Sequence, residues 1–392
     1  MSRQAGVDDR LVLTDWAALS PWGVGAESLA TGIRSGGTAV AELDPTGWQT
    51  PYRQGALITD LDLPGLLGNK GIRSMDRATG IAVATVGLLL AKHPIDRLAE
   101  TRSDVGLVLG TTSGSVQSMM RFTRDSLTGA KPYHVDPARF PNTVMNRAAG
   151  QCAIWHGLKG PNTTVAGGAV TGLLALSYAM RLQRGGHCAV VVCGAVEEFS
   201  EQRAWLEWHA RGEGVDPAPL GEGAVVFLTE WESSATARGR EPVADLLATE
   251  FGAFTDPESA RFALGRCVNR ALRRAGVHAE DVELVVPAAP AGPLGEAEQW
   301  ALDDAFSGNR VVRLRHRELL GDAASVSANV QIAVALVADV PGPAAGRLAL
   351  VTSVDREGIA GCLLMRLRDN RQRVGQPPAD AGAPTGGRET QR

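Results

Sequence analysis

Nucleophilic catalysis needs a side chain that can ionise, held where the backbone stabilises negative charge. The stretch Gly160-Pro-Asn-Thr-Thr-Val-Ala-Gly-Gly-Ala-Val-Thr-Gly172 is built like such a place. Asn162 to Val165 is short and β-branched, Gly167 and Gly168 permit a tight turn, and Ala169 opens an apolar run, Val170 to Leu182, that Gly185 and Gly186 close. A strand, a glycine turn and a buried helix in that order make a nucleophile elbow, with the turn residue at a helix N-terminus where unpaired N–H groups favour an anion. Its occupant is Ala169, which can attack nothing.

Other residues that bear chemistry are scattered. Five cysteines (Cys152, Cys188, Cys193, Cys267, Cys362) form no CxxC pair and have no histidines at ligand spacing, so neither disulfides nor a metal site is expected. Cys188 and Cys193 lie in an apolar run and are expected on opposite faces of a strand, as small buried hydrophobes. Glu318 could act as a base only if burial raised its pKa, and among Arg313, Arg315 and Arg317 it is expected to be ion-paired instead. His316 is expected in a solvated loop, with His134 and His156 structural. Glu197 and Glu198 stand at a strand end where an active site can lie, and a solvated turn is the preferred reading for them.

The elements that must position these residues alternate. Leu11 to Gly23 reads as a strand and turn, residues 36 to 75 as a surface excursion, and Asp76 as the cap of a long helix. A buried strand, Asp104 to Thr112, is followed by helices Ser115 to Ser126 and Asn142 to Trp155, then by the elbow and strand Cys188 to Cys193. From Val243 the pattern starts again, with helix Pro257 to Ala275, strand Glu283 to Val286, helices Glu296 to Phe306 and Ala323 to Val337, and strands Leu348 to Thr352 and Cys362 to Leu367. Strands alternating with helices predict an α/β fold with mostly parallel, doubly covered sheets in two related halves. At 392 residues with 44% hydrophobic side chains the chain can bury a large core, and a net charge of -4 argues against a nucleic-acid partner. No apolar run is long enough to span a bilayer and the first residues lack the apolar core of a signal peptide, so a cytoplasmic protein is expected.

Over roughly residues 10 to 368 the chain resembles the β-ketoacyl synthase family of the thiolase fold. The resemblance rests on Ala18-Leu-Ser-Pro-Trp-Gly, Pro141-Asn-Thr-Val-Met-Asn-Arg-Ala-Ala-Gly, His156-Gly-Leu-Lys-Gly-Pro and Leu220-Gly-Glu-Gly-Ala, in order along the chain. It implies a layered α-β-α-β-α architecture: a flexible segment 1–9, an N-terminal half 10–240, a C-terminal half 241–368 and a disordered tail 369–392. Active members use a cysteine at the elbow and two histidines from the second half. Carried over by position, the cysteine falls on Ala169, the first histidine on Pro287, the second on Glu318 and a family lysine on Arg313, while Ser353-Val-Asp-Arg-Glu-Gly358 corresponds to the gating loop, with Arg356 about where its phenylalanine stands. No residue required for condensation is present.

This pattern resembles the chain length factor, the inactive partner of type II polyketide ketosynthases, in which glutamine often takes the place of Ala169. The resemblance implies a heterodimer with a catalytic ketosynthase, an acyl carrier protein bearing a phosphopantetheine-bound chain, no cofactor, and an acyl tunnel for an aromatic or polyene polyketide. Ser113, Val116, Met119, Met120 and Met145 are expected to border that tunnel, although the spacing of Val116, Met119, Met120 and Phe122 suits ordinary core packing equally well. Two other functions stay open: a stand-alone acyltransferase using Glu318, His316 or Glu198 as base, and a pseudoenzyme that only binds carrier protein.

Overall fold

Ten strands follow one another across a mixed sheet in the computed structural model, which describes residues 9–211 and 218–368. In chain order they are β1 (Leu11–Ser20), β2 (Val105–Gly110), β3 (Asn162–Val165), β4 (Val190–Glu197), β5 (Gly223–Trp231), β6 (Ala244–Ala253), β7 (Val282–Val286), β8 (Val312–Arg313), β9 (Leu348–Asp355) and β10 (Ile359–Leu367). Their spatial order is β8-β7-β9-β10-β6-β1-β5-β4-β2-β3. At the centre of the order β1 pairs with β6 at only Val12↔Asp245 and Leu13↔Ala244.

The expectation of mostly parallel sheets is corrected. Within this sheet parallel pairing is confined to β2 with β3 and β4, and to β7 with β8 and β9. The long strands around β1, and the hairpin in which Asp355 pairs with Ile359, are antiparallel. A continuous apolar run reports that both faces of a strand are buried; it carries no information on direction.

Three apolar cores show how the layers stack. The first lies between the halves, where Val191 and Phe227 from one and Leu284, Val351 and Met365 from the other enclose residues of two central helices, Thr171–Arg184 and Ser327–Val337. The second joins the outer face of β2, β4 and β5 to helices Arg77–Lys92 and Arg147–His156. The third does the same for β9 and β10 with helices Pro257–Ala275 and Pro293–Ala305. Helix, sheet, helix, sheet, helix is the layered order of the thiolase-like fold.

Local signals set the helix ends. The Asp76 carboxylate accepts the Thr79 N–H at 2.7 Å and starts Arg77–Lys92. Pro257–Ala275 begins at a reciprocal Asp256/Ser259 capping box and stops at Gly276 with φ 64°. The expected helix from Asn142 instead begins at Arg147, after a 3-10 segment, Pro137–Thr143, that takes up Asn142 and Thr143. Cys188 precedes β4 and packs in the same core as Cys193, so the two do not face opposite ways on one strand. The segments 1–9, apart from Asp9, and 369–392 lie outside the described residues.

Candidate functional site

The elbow forms as its sequence dictates. Strand β3 ends at Val165, Gly168 turns with φ 54°, and a single 3-10 turn, Gly168–Val170, leads into Thr171–Arg184. A Cβ on Gly168 would lie 2.0 Å from Asp355 Oδ2, so glycine is required there for space as well as for conformation. Half-buried Ala169 occupies the nucleophile position. Its N–H donates to Asp355 Oδ2 at 2.8 Å, and its carbonyl accepts the Ser353 hydroxyl at 3.1 Å. The donor that an elbow presents to a developing oxyanion is therefore already held by a carboxylate of the same chain.

The loop after β7 faces this region from the other half. Pro287 carries no proton to give, and the next two amides are claimed: Ala288 and Ala289 donate to the Glu298 carboxylate at 3.0 and 2.7 Å, and the Thr352 hydroxyl joins them at 2.7 Å. Burial raises the Glu298 pKa, and these three donors pull it back only in part. A shallow cleft of about 200 Å³ opens beside Pro287, lined by Ala289, Glu298, Gln299, Arg313 and Arg315; Ala169 is not part of it.

The structure does not gather the predicted second-half residues at the elbow. Arg313 pairs with Asp303 at 2.7 Å, and Glu318 pairs with Arg315 at 3.2 Å with its side chain 73% exposed. Glu318 sits in the four-residue helix Arg317–Leu320, where Leu319 and Leu320 take the buried side and leave the carboxylate in solvent. The charged groups this segment does turn inward are Arg317 and Asp322, which pair directly with each other. Burial raises the Asp322 pKa, but Arg317, the Ala324 N–H and the more distant Arg203 and Arg356 together outweigh it and leave the pKa below the usual range. Asp322 also accepts the Ala324 N–H at 2.9 Å, capping the 3-10 turn Ala324–Val326 that packs on the elbow turn.

Two expectations about solvation are overturned. His316 is 2% exposed, and burial, with Arg317 adding to it, pushes its pKa down to about 3, so it is neutral and a poor base at neutral pH. Glu197 and Glu198 are both buried rather than in a solvated turn. Glu197 accepts from the hydroxyls of Thr112 at 2.6 Å and Ser325 at 2.8 Å. Glu198 accepts the Ser115 hydroxyl at 3.0 Å and the amides of Ala78 and Gln117 at 3.2 and 3.4 Å, tying together the starts of helices Arg77–Lys92 and Val116–Thr128. Burial first, and then nearby Asp76, raises Glu198 to about 7. Two polar residues at the sheet's end in an otherwise apolar strand were the available signal; their burial came from helices distant in sequence.

Ordinary core packing accounts for Val116 alone among the tunnel candidates. Met119 and Met145 are 37% and 45% exposed, Ser113 is exposed and Met120 half-buried. Gly114 holds the two stretches together, since a Cβ there would come 3.1 Å from Met145 Cα. Around them Leu127, Phe140, Val144 and Ile154 also face outward. The site residue that sequence reasoning missed is Asp355. Its signal was a carboxylate in the loop matched to the gating loop, one residue before the arginine that drew attention.

Comparison with known proteins bears on this arrangement. A family model described as beta-ketoacyl synthase, N-terminal domain, matches residues 8–218. A polyketide beta-ketoacyl synthase 2 of Streptomyces halstedii is 30% identical over 84% of this chain and 84% of its own length. The 3-oxoacyl-[acyl-carrier-protein] synthase 2 of Vibrio harveyi is 25% identical over 82% of this chain and 85% of its own length. Among solved structures, the ishigamide ketosynthase/chain length factor superposes with a TM-score of 0.84 at 40% identity, covering 92% of this chain and 99% of that one. A type II polyketide synthase acyl-carrier protein in complex with its ketosynthase superposes at 0.76 with 16% identity over 92% and 99%, a likeness of fold alone.

Proposed function

The chain belongs to the β-ketoacyl synthase family, and from that premise we propose that it is a non-condensing, chain length factor-like subunit. It pairs with a catalytic ketosynthase and shapes the acyl tunnel for a polyketide chain delivered on an acyl carrier protein. The observation that carries this reading is the elbow itself: Ala169 supplies no nucleophile and its N–H is bound to Asp355. Thiolate attack has no substitute at this position. Pro287 supplies no general acid or base either, which fits a pocket emptied on both sides.

The partner kinds follow from the relatives. The structure with 40% identity is that of a ketosynthase/chain length factor, and the type II ketosynthase of like fold is in complex with an acyl-carrier protein. Strand β3 ends the sheet with its outer edge unpaired among the described residues, next to the outward-facing Ile154, Met145 and Phe140. An open strand edge beside apolar side chains is what a paired subunit would cover, and we assign Ser113, Met119, Met120 and Met145, with buried Val116 packed behind them, to the tunnel side of that contact. No helix among the described residues is long and apolar enough to cross a membrane, and we place the complex in the cytoplasm.

A stand-alone acyltransferase would need a base at the elbow. Glu318 is solvent-facing, His316 holds a proton only near pH 3, and Glu198 is committed to two helix starts. The test is malonyl-carrier turnover by the purified chain, by a coexpressed Cys-His-His ketosynthase, and by the two together. Condensation only in the mixture, from a complex of one copy of each, is expected; turnover by this chain alone would favour the acyltransferase. Carrier binding without any effect on the ketosynthase's product would favour the pseudoenzyme.

A further inference from the structure

We propose that Asp355 is the resident occupant of the elbow's anion site, a carboxylate of the chain's own that holds the Ala169 N–H and keeps an acyl oxygen out. The assignment deepens the non-condensing reading and rests on it. Two contacts hold the carboxylate and a third ties its strand to the elbow. Asp355 Oδ2 accepts from Ala169 at 2.8 Å, Asp355 Oδ1 accepts the Glu357 N–H at 2.9 Å, and Ser353 on the same strand bonds the Ala169 carbonyl at 3.1 Å. The hairpin that carries Asp355 is pinned at two further points, by Arg356 to Glu207 at 2.7 Å and by the Gly358 carbonyl to the Phe254 N–H at 2.8 Å. Gly168, which leaves no room for a Cβ against Asp355, completes the fit from the elbow side.

The charged groups around it do not offer the elbow a free cation. Arg356 is spent on Glu207, and Arg317 on Asp322. Reinstating a thiol at position 169 would therefore place it beside a fixed carboxylate, which disfavours the thiolate, although the helix N-terminus alone would favour it.

The test uses the full-length chain carrying Ala169→Cys, alone or combined with Asp355→Asn or Asp355→Ser, alkylated by iodoacetamide across pH and read by intact mass. The five native cysteines are buried, with Cys188 and Cys193 pushed up to about 11 and 12, so the new thiol reports without background. The expected midpoint for Ala169→Cys is at or above the ordinary cysteine value of about 8.5, falling by about one unit or more when Asp355 is also replaced. An identical midpoint in single and double variants overturns the proposal. Should both double variants fail to fold, the single variant decides: a midpoint below about 8.5 overturns the assignment and one at or above it supports it. Acylation of the wild-type chain would instead end the non-condensing reading, so the two failures are separable.

Discussion

The elbow and the surface around helix Val116–Thr128 are opposites. At the elbow the turn's own backbone is satisfied from within, Ala169 by Asp355 and Ser353, and in the second half Ala288 and Ala289 are held by Glu298 and Arg317 by Asp322. The surface that carries Met119, Phe140, Met145 and Ile154 leaves large apolar side chains in water, and the strand packed against the helix of Ile154 ends the sheet with its outer edge unpaired among the described residues. An active condensing enzyme needs the reverse at its centre, with donors free to meet substrate. With the Ala169 N–H closed off and apolar side chains open to solvent, the contrast fits the proposed role of a subunit that works through what it covers.

The comparison breaks most readily at the open surface. Ile154→Asp puts a charge on an exposed apolar position of the proposed contact, and the expected result is at least a 100-fold loss of affinity for the ketosynthase in sedimentation or size-exclusion assays, with the fold intact. At the closed end, Glu298→Ala strips two buried amides and the Thr352 hydroxyl of their acceptor and should cost about 2–4 kcal/mol in chemical denaturation.

Glu198 sharpens the contrast through pH. Its pKa is raised to about 7 in the folded chain, above the ordinary glutamate value, so the unfolded state ionises first as pH rises. Stability that is complete below about pH 4.5 is therefore lost progressively up to about pH 7, by no more than about 3 kcal/mol. Glu198→Gln should flatten that slope in unfolding measured from pH 4.5 to 8, and an unchanged slope would assign the pH dependence elsewhere. The smallest effect is expected from Val116→Trp or Met120→Trp, which should shorten the product by one or two extension units, read by mass spectrometry, with the complex still formed. Unchanged product length would return these side chains to a packing role.

Much of this was legible in the chain. The elbow, the Asp76 cap and the bounds of Pro257–Ala275 follow from local chemistry, because glycine turns and capping residues act on neighbours in sequence. The antiparallel pairing of β1, the burial of Glu197, Glu198 and His316, and the solvent-facing Glu318 depend on segments far apart in sequence. Position-by-position carry-over drew attention to Glu318, while the inward-turned carboxylate is Asp322, four residues on and past the turn at Gly321. Asp355 was hidden for the same reason: what marks it is a contact across 186 residues.

The account turns on which subunit carries the chain. The direct measurement is the intact mass of both polypeptides in the working complex, trapped during turnover with malonyl-carrier. Acyl mass on the ketosynthase partner alone and none on this chain is expected; an acyl adduct on this chain would contradict the proposed non-condensing role.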